Sequence, residues 1–380
     1  MKILLVGISV RAMAESAVHS GYQVIALDAF GDLDLEAIAE CHALQREFHL
    51  PFSAGSLYKA SQGLTFEAVA YTSNLENHPR LIDKFSQRYL VLGNPSGVIR
   101  RIRHWQTLIP VLARAGYSVP ETVFPGKGSF FDPARSWLIK PVLSGGGHGV
   151  AYWKRKKLPG QAYMLQEYVP GRPCSFSFVA NGSSCVMIGM TEQLIGGSEF
   201  NAGGFLYCGN LLPIGTTREE ADRRVLLGQA RKLAAYLTQE YALVGLNTVD
   251  FILHDSQIFL TEVNPRYSAS MELIEWAYGL PVFKLHVQAV LTGELPDFEL
   301  ETKLDDRSSY GKAILYAHQD ATAPDTLAWH ERGIRDIPHP GERLVRGTPI
   351  CTLLAEGKDR ESCLAGLIDK SKRIQGVIYA

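Results

Sequence analysis

Apolar runs broken by polar turns recur from the first residues of the chain. Residues 2–9, KILLVGIS, are almost continuously apolar, 11–22, RAMAESAVHSGY, are amphipathic at helical spacing, and 23–30, QVIALDAF, are apolar again. The same kind of run returns at 68–73, AVAYTS, and at 89–94, YLVLGN. Apolar strands separated by helical lengths predict a parallel sheet covered on both faces over the first hundred residues.

Beyond a helix that ends in 112–120, LARAGYSVP, the pattern turns to strands joined by glycine loops. Residues 136–153, SWLIKPVLSGGGHGVAYW, read as strand, glycine loop, strand. Residues 162–171, AYMLQEYVPG, read as a strand ending in a Pro-Gly turn, and 174–190 as two strands around an Asn181-Gly182 hairpin signal. A helix is predicted from about 217 to 240, then two antiparallel strands over 245–266 around a polar turn at 254–257. Strands near 311–317 and 348–357 and a helix over about 360–373 follow. No internal repeat or low-complexity segment is present.

A prior of about 150 residues per domain divides the 380 residues into two to four lobes. With 46% hydrophobic and 20% charged residues the chain can build a real core, which excludes disorder and fibrous repeats. Its 38 basic and 39 acidic residues leave a formal charge of -1, so no overall field draws it to nucleic acid or anionic lipid. Any phosphate binding must be local. Cys41, Cys174, Cys185, Cys208, Cys351 and Cys363 are scattered without CxxC spacing, as expected of reduced thiols in the cytoplasm. Ala12-Met13-Ala14 after a short apolar run has the look of a cleavage site, but Arg11 closes that run and a strand followed by a helix fits better. No apolar stretch reaches the roughly 18 residues a membrane-spanning helix needs.

A dinucleotide site on the first lobe is a weak reading, because only Gly7 stands where G-x-G-x-x-G is required. Asp28 and Asp32 lie at the carboxyl end of the second strand, where open α/β sheets place ligands. They are candidates for a substrate contact, with loop turn residues as the alternative.

The richest stretch is 259–275, FLTEVNPRYSASMELIE. Strand alternation puts Glu262, Asn264 and Arg266 on one face. If the strands of 245–266 pair around their turn, Asp250 and Glu262 come together, and two such carboxylates demand positive charge between them. Arg266 could supply it in a structural ion-pair cluster. The alternative is Mg²⁺, for which two carboxylates and the Asn264 amide oxygen are suitable hard ligands beside substrate phosphates.

Lys140 ends an apolar strand, and Ser144, Gly145, Gly146, Gly147 and Gly149 follow it. Consecutive glycines let backbone N–H groups approach phosphate oxygens and let a loop close as a lid; a flexible hairpin tip is the bland alternative. The lysine precedes the glycines, which excludes a Walker loop. Gln166, Glu167 and the Val169 backbone end a strand that could hold an adenine by its edge, although a core strand would look the same.

In order and spacing over about residues 100–275, lysine, glycine loop, Gln-Glu strand, Asp and Glu-x-Asn-x-Arg resemble the ATP-grasp superfamily. The flanking lobes resemble its biotin carboxylase arm, which is related to the carbamoyl-phosphate synthetase large chain. The segments FGDLDL and EVNPRYSASME are similar to its carboxylate-amine ligase group. The resemblance implies a mixed α/β and α+β fold. A Rossmann-like parallel lobe would cover 1–100, an ATP-grasp domain with antiparallel sheets 101–297, its glycine-loop lid about 125–190, and a small strand-rich lobe 298–380 packed on that domain.

It also implies roles. Lys140 would contact nucleotide phosphates beneath the 144–149 lid, and Gln166, Glu167 and Val169 would hold adenine. Asp250, Glu262 and Asn264 would ligate Mg²⁺, with Mn²⁺ as an alternative. Arg266 would steady the transferring phosphoryl group, and Gln193 would lie near the phosphates. Many relatives carry a further lysine where this chain has RRIRHWQTL, so Arg103 or another arginine is expected to substitute. The activity implied is ATP-dependent amide formation between a small carboxylic acid and an amine or amino acid through an acyl phosphate. Cofactor or amino-acid side-chain biosynthesis is the suggested setting, and a homodimer the suggested assembly. Carboxylation with bicarbonate and non-catalytic nucleotide binding are the alternatives; the chain has no A-M-K-M biotin site.

Overall fold

The computed structural model describes residues 1–124, 132–154, 162–215, 223–306 and 308–380. Parts of the expected lid, and the expected start of the helix at 217, lie outside them.

In the N-terminal lobe, strands β1 (Lys2–Val6), β2 (Gln23–Asp28), β3 (Glu40–Ala43), β4 (Ala68–Tyr71) and β5 (Leu90–Leu92) form a parallel sheet in the order β3-β2-β1-β4-β5. Its central strands are apolar on both faces because helices cover both. The carboxyl ends of β1, β2 and β4 open toward the rest of the molecule.

Four short strands, β6 (Thr122–Val123), β7 (Trp137–Pro141), β8 (Ala151–Tyr152) and β9 (Tyr163–Glu167), form a small antiparallel sheet in the order β6-β9-β7-β8, with the glycine loop between β7 and β8. The long strands follow: β10 (Arg172–Asn181), β11 (Cys185–Ile195), β12 (Tyr207–Leu212), β13 (Val244–His254) and β14 (Gln257–Asn264). The β13–β14 turn is where the polar residues predict it, with Asp255 and Ser256 both at positive φ as a two-residue primed hairpin turn requires.

The last part of the chain extends the same sheet. Strand β15 (Ser309–Tyr316) pairs with β12, and of the following strands β16 (Ala321–Thr322), β17 (Ile334–Arg335), β18 (Arg343–Leu344) and β19 (Pro349–Gly357), β19 and β17 continue outward. The result is one eight-stranded sheet, β14-β13-β10-β11-β12-β15-β19-β17. The final helix, Arg360–Ile378, runs past residue 373; Asp359 caps its first turn by accepting from the Ser362 N–H.

Alternation along the strands builds a core on each face. Phe176, Phe178 and Phe251 pack against the helix Arg223–Tyr241 through Leu233 and Leu237, while Val179, Ile188 and Leu246 face Ile274 and Phe283 on the other side. Gly189 permits that second contact, since a Cβ there would lie 2.5 Å from the Ile274 side chain. Among the described residues no helix is long and apolar enough to cross a membrane.

Candidate functional site

A cleft of about 1100 Å³ runs from the small antiparallel sheet, across the large sheet, to the strand ends of the N-terminal lobe. That is more than one drug-sized ligand requires. Lys140, Ser144, Gly145, Gly146, Gly147, Gln166, Glu167, Val169, Gln193, Asp250, Glu262, Asn264 and Arg266 all line it. Asp28 does not.

Asp250 on β13 stands opposite Glu262 on β14. A bulge at Thr261 interrupts the simple alternation, and β14 ends at Asn264. Arg266 is therefore beyond the strand; it reaches the cleft through a turn in which its N–H donates to the Asn264 carbonyl at 2.9 Å.

The two carboxylates do not share Arg266. The Asp250 carboxylate accepts from the side-chain amides of Gln193 and Asn264, each at 2.9 Å. Glu262 accepts from Arg103 at 2.6 Å. Arg266 donates instead to Glu76 at 2.7 Å and to the Asn264 Oδ1 at 3.1 Å. The purely structural cluster of Arg266 with Asp250 and Glu262 is thus replaced by a different pairing, because Glu76, only 1% exposed, has the greater need of a cation.

Burial, and next the Glu262 charge, push Asp250 up to about 7. The native protein therefore keeps a proton there that the unfolded chain has already released. This contribution to stability is complete below the ordinary aspartate range and is lost as pH rises to about 7. The thermal midpoint of the wild type should fall by several degrees relative to Asp250→Asn between about pH 4 and pH 7, then run parallel to it. Thermal melts across that range check this.

Lys140 on β7 donates to Gln166 Oε1 at 2.8 Å, and Gln166 donates to Thr122 at 3.3 Å. Gln166 is thus positioned to orient a lysine. Burial lowers the Lys140 pKa, and Asp250 and Glu262 oppose that effect. Glu167 accepts from the Glu121 N–H at 3.2 Å and pairs with Arg135 at 3.0 Å, and the Tyr168 N–H beyond it donates to the Ser136 carbonyl at 2.8 Å. The glycine loop is docked rather than loose. Tyr207 N–H donates to the Gly146 carbonyl at 3.0 Å, and Gly147, at φ +77, lies so near the Phe205 carbonyl that a Cβ would be 1.8 Å from its oxygen.

Arg103, the arginine expected from its neighbourhood, reaches the site through Glu262, the Val263 carbonyl at 3.1 Å and Asn77 at 2.7 Å. Trp105 supports it, with the guanidinium 5.7 Å from the ring centroid. Asp28 is a turn residue: its carboxylate accepts from the N–H groups of Val10, Phe30 and Gly31 at 3.1, 3.0 and 2.8 Å. Sequence reasoning missed Glu76 and Asn77, which sit in a short 3-10 turn, as well as Arg11, Lys312 and Asp336. A lysine in the apolar run GKAILYA was the one available signal.

The oxygens of Asp250, Glu262 and Asn264 suit a Mg²⁺ that takes its remaining ligands from phosphates and water. An all-protein cage is absent: among the described residues no group of three or more His, Cys, Asp or Glu side chains could hold a metal.

Residues 106–270 match the family model of the ATP-grasp domain. An uncharacterized protein of Methanocaldococcus jannaschii is 21% identical over 375 residues, 94% of this chain and 88% of that protein. Solved structures share the fold over nearly the whole chain, two of them as follows. The biotin carboxylase domain of 2-oxoglutarate carboxylase from Hydrogenobacter thermophilus, in complex with MgADP, ADP and bicarbonate, has a TM-score of 0.70 at 14% identity, covering 99% of this chain and 90% of that one. An L-amino acid ligase from Bacillus licheniformis has a TM-score of 0.68 at 14% identity, covering 100% of this chain and 98% of that one.

Proposed function

We propose that the chain is an ATP-dependent carboxylate-amine ligase. The observation that carries this is the convergence, in one cleft of an ATP-grasp fold, of Lys140, the docked glycine loop and the oxygen set of Asp250, Glu262 and Asn264.

In the reaction, a carboxylate oxygen of the acid attacks the γ-phosphorus, ADP leaves with the electrons of the broken P–O bond, and an acyl phosphate forms. The lone pair of an amine then attacks the acyl carbon; the C–N bond forms, inorganic phosphate departs, and the amine loses a proton. Mg²⁺ held by Asp250, Glu262 and Asn264 would supply charge neutralisation at the phosphoryl oxygens. Lys140, oriented by Gln166, adds a positive charge along the triphosphate. Arg266, held by Glu76, presents its guanidinium on the acceptor side. The glycine loop, seated on the 205–207 backbone, shields the acyl phosphate from water. Val169 and its neighbours offer a backbone edge to adenine.

Incubation of the protein with ATP, Mg²⁺ and panels of carboxylic acids, bicarbonate among them, and amines should release ADP only when acid and amine are both present. Failure of the folded protein to bind ATP at all would remove the proposal, and ADP release with bicarbonate alone would replace it with carboxylation.

A further inference from the structure

At the N-terminal-lobe end of the cleft, charged side chains from distant parts of the sequence meet. Arg11, 1% exposed, donates to Asp336 from Nε at 3.1 Å and from Nη2 at 3.2 Å, to Glu15 at 3.0 Å, and to Glu272. Lys312 donates to Glu272 as well. Asp34 accepts from the N–H groups of Asp336 and Ile337 at 3.0 and 2.9 Å, and Asp28 from the three N–H groups described above. Each of these groups has its partners.

Asp32 does not. It lines the cleft at 8% exposure, and among the described residues its buried Oδ2 has no hydrogen-bond partner. Although it precedes the short helix Leu33–Glu36, its side chain makes no capping bond. Its charged neighbours compound the deficit, since Asp28, Asp34 and Asp336 repel it and Arg11 is already engaged; together with burial they hold its pKa well above the ordinary carboxylate range. A buried carboxylate without a donor is costly and persists where something outside the chain completes it. The described side chains form no metal cage, so a singly charged organic cation suits the place better than a divalent ion.

We propose that Asp32 receives the ammonium group of the acceptor substrate, and that the acceptor therefore carries two amino groups, one held charged at Asp32 and one left to attack. This rests on the ligase reading, and it names the class of acceptor: a diamine or a diamino acid rather than a simple monoamine. The recognition is a charge-assisted hydrogen bond made away from the nucleotide, so it sets acceptor affinity and not nucleotide affinity.

Calorimetric titration of the full chain, with Mg²⁺ and a non-hydrolysable ATP analogue present, tests it using the linear diamines 1,3-diaminopropane to 1,6-diaminohexane and the corresponding diols. The wild type should bind at least one diamine about tenfold or more tightly than its diol. Asp32→Asn should abolish that preference, leave the affinity for the analogue unchanged, and melt no lower than the wild type without ligand. Binding of diols and diamines alike, no binding of any diamine, or an Asp32→Asn protein that keeps the preference or loses its fold would each overturn the subsite. ADP release with neutral-tailed monoamines, unaffected by Asp32→Asn, would sink the subsite and leave the ligase standing. Diamine binding that needs Asp32, without ADP release for any acid and amine, would sink the ligase and leave the subsite.

Discussion

Glu262→Gln is expected to lower ADP release by at least about a hundredfold, the scale on which loss of one preorganised electrostatic contact is felt at a transferring group. The substitution keeps the shape of the side chain, and a Gln oxygen can still accept the hydrogen bond that Arg103 makes at 2.6 Å. What disappears is the negative charge of Glu262, which faces Asp250 across the β13–β14 pair. The thermal midpoint should therefore hardly move, while the Mg²⁺ concentration needed for half-maximal activity rises. Steady-state ADP release titrated with Mg²⁺, beside a thermal melt, measures both. Unchanged turnover would show that Glu262 does not serve the metal.

Arg266→Met should damage stability first and activity with it. Glu76 and Arg266 are 1% and 9% exposed, and their ion pair at 2.7 Å crosses from the N-terminal lobe to the end of β14. Burial alone would raise the Glu76 pKa, but Arg266 outweighs it and holds that carboxyl below the ordinary range. A lowered carboxyl pKa contributes stability at neutral pH that is lost as pH falls through the native value, so the wild type should weaken in acid more steeply than a variant lacking the pair. Removing the arginine alone strands a buried carboxylate, at a cost of about 3–5 kcal/mol. Glu76→Leu combined with Arg266→Met removes both charges and should recover most of that stability, as buried pairs replaced by apolar groups commonly do. If Arg266 acts on the acceptor side of the cleft, the recovered double variant will remain without ADP release. Recovery of both stability and turnover would reduce Arg266 to a structural role.

Local pattern was enough to find the hairpin of β13 and β14 and its polar turn at 254–257, but Asp250 meets Glu262 only because of the bulge at Thr261, without which Asp250 would stand opposite Thr261. It was also enough for the apolar strands of the first lobe, for Lys140 before its glycines, and for the neighbourhood of Arg103. Partner choice was not legible. Arg266 looked like the natural counter-ion of two carboxylates four and sixteen residues upstream, and it pairs instead with Glu76, 190 residues away in sequence. Only the packing of one lobe against another decides such a contest. Asp28 and Asp32 illustrate the same limit from the other side. They are four residues apart in one turn, yet the backbone folds its N–H groups onto the first and leaves the second without a donor.

The pairing of β12 with β15 carries a consequence for dividing the chain. Cutting after residue 297 would strip β12 of its neighbour and leave its free amides and carbonyls along the new margin of a broad, partly apolar sheet. Such a margin is a template for strands of other molecules, so the shortened protein would tend to self-associate. It would also lack Lys312 and Asp336, and with them part of the cleft wall near Asp32.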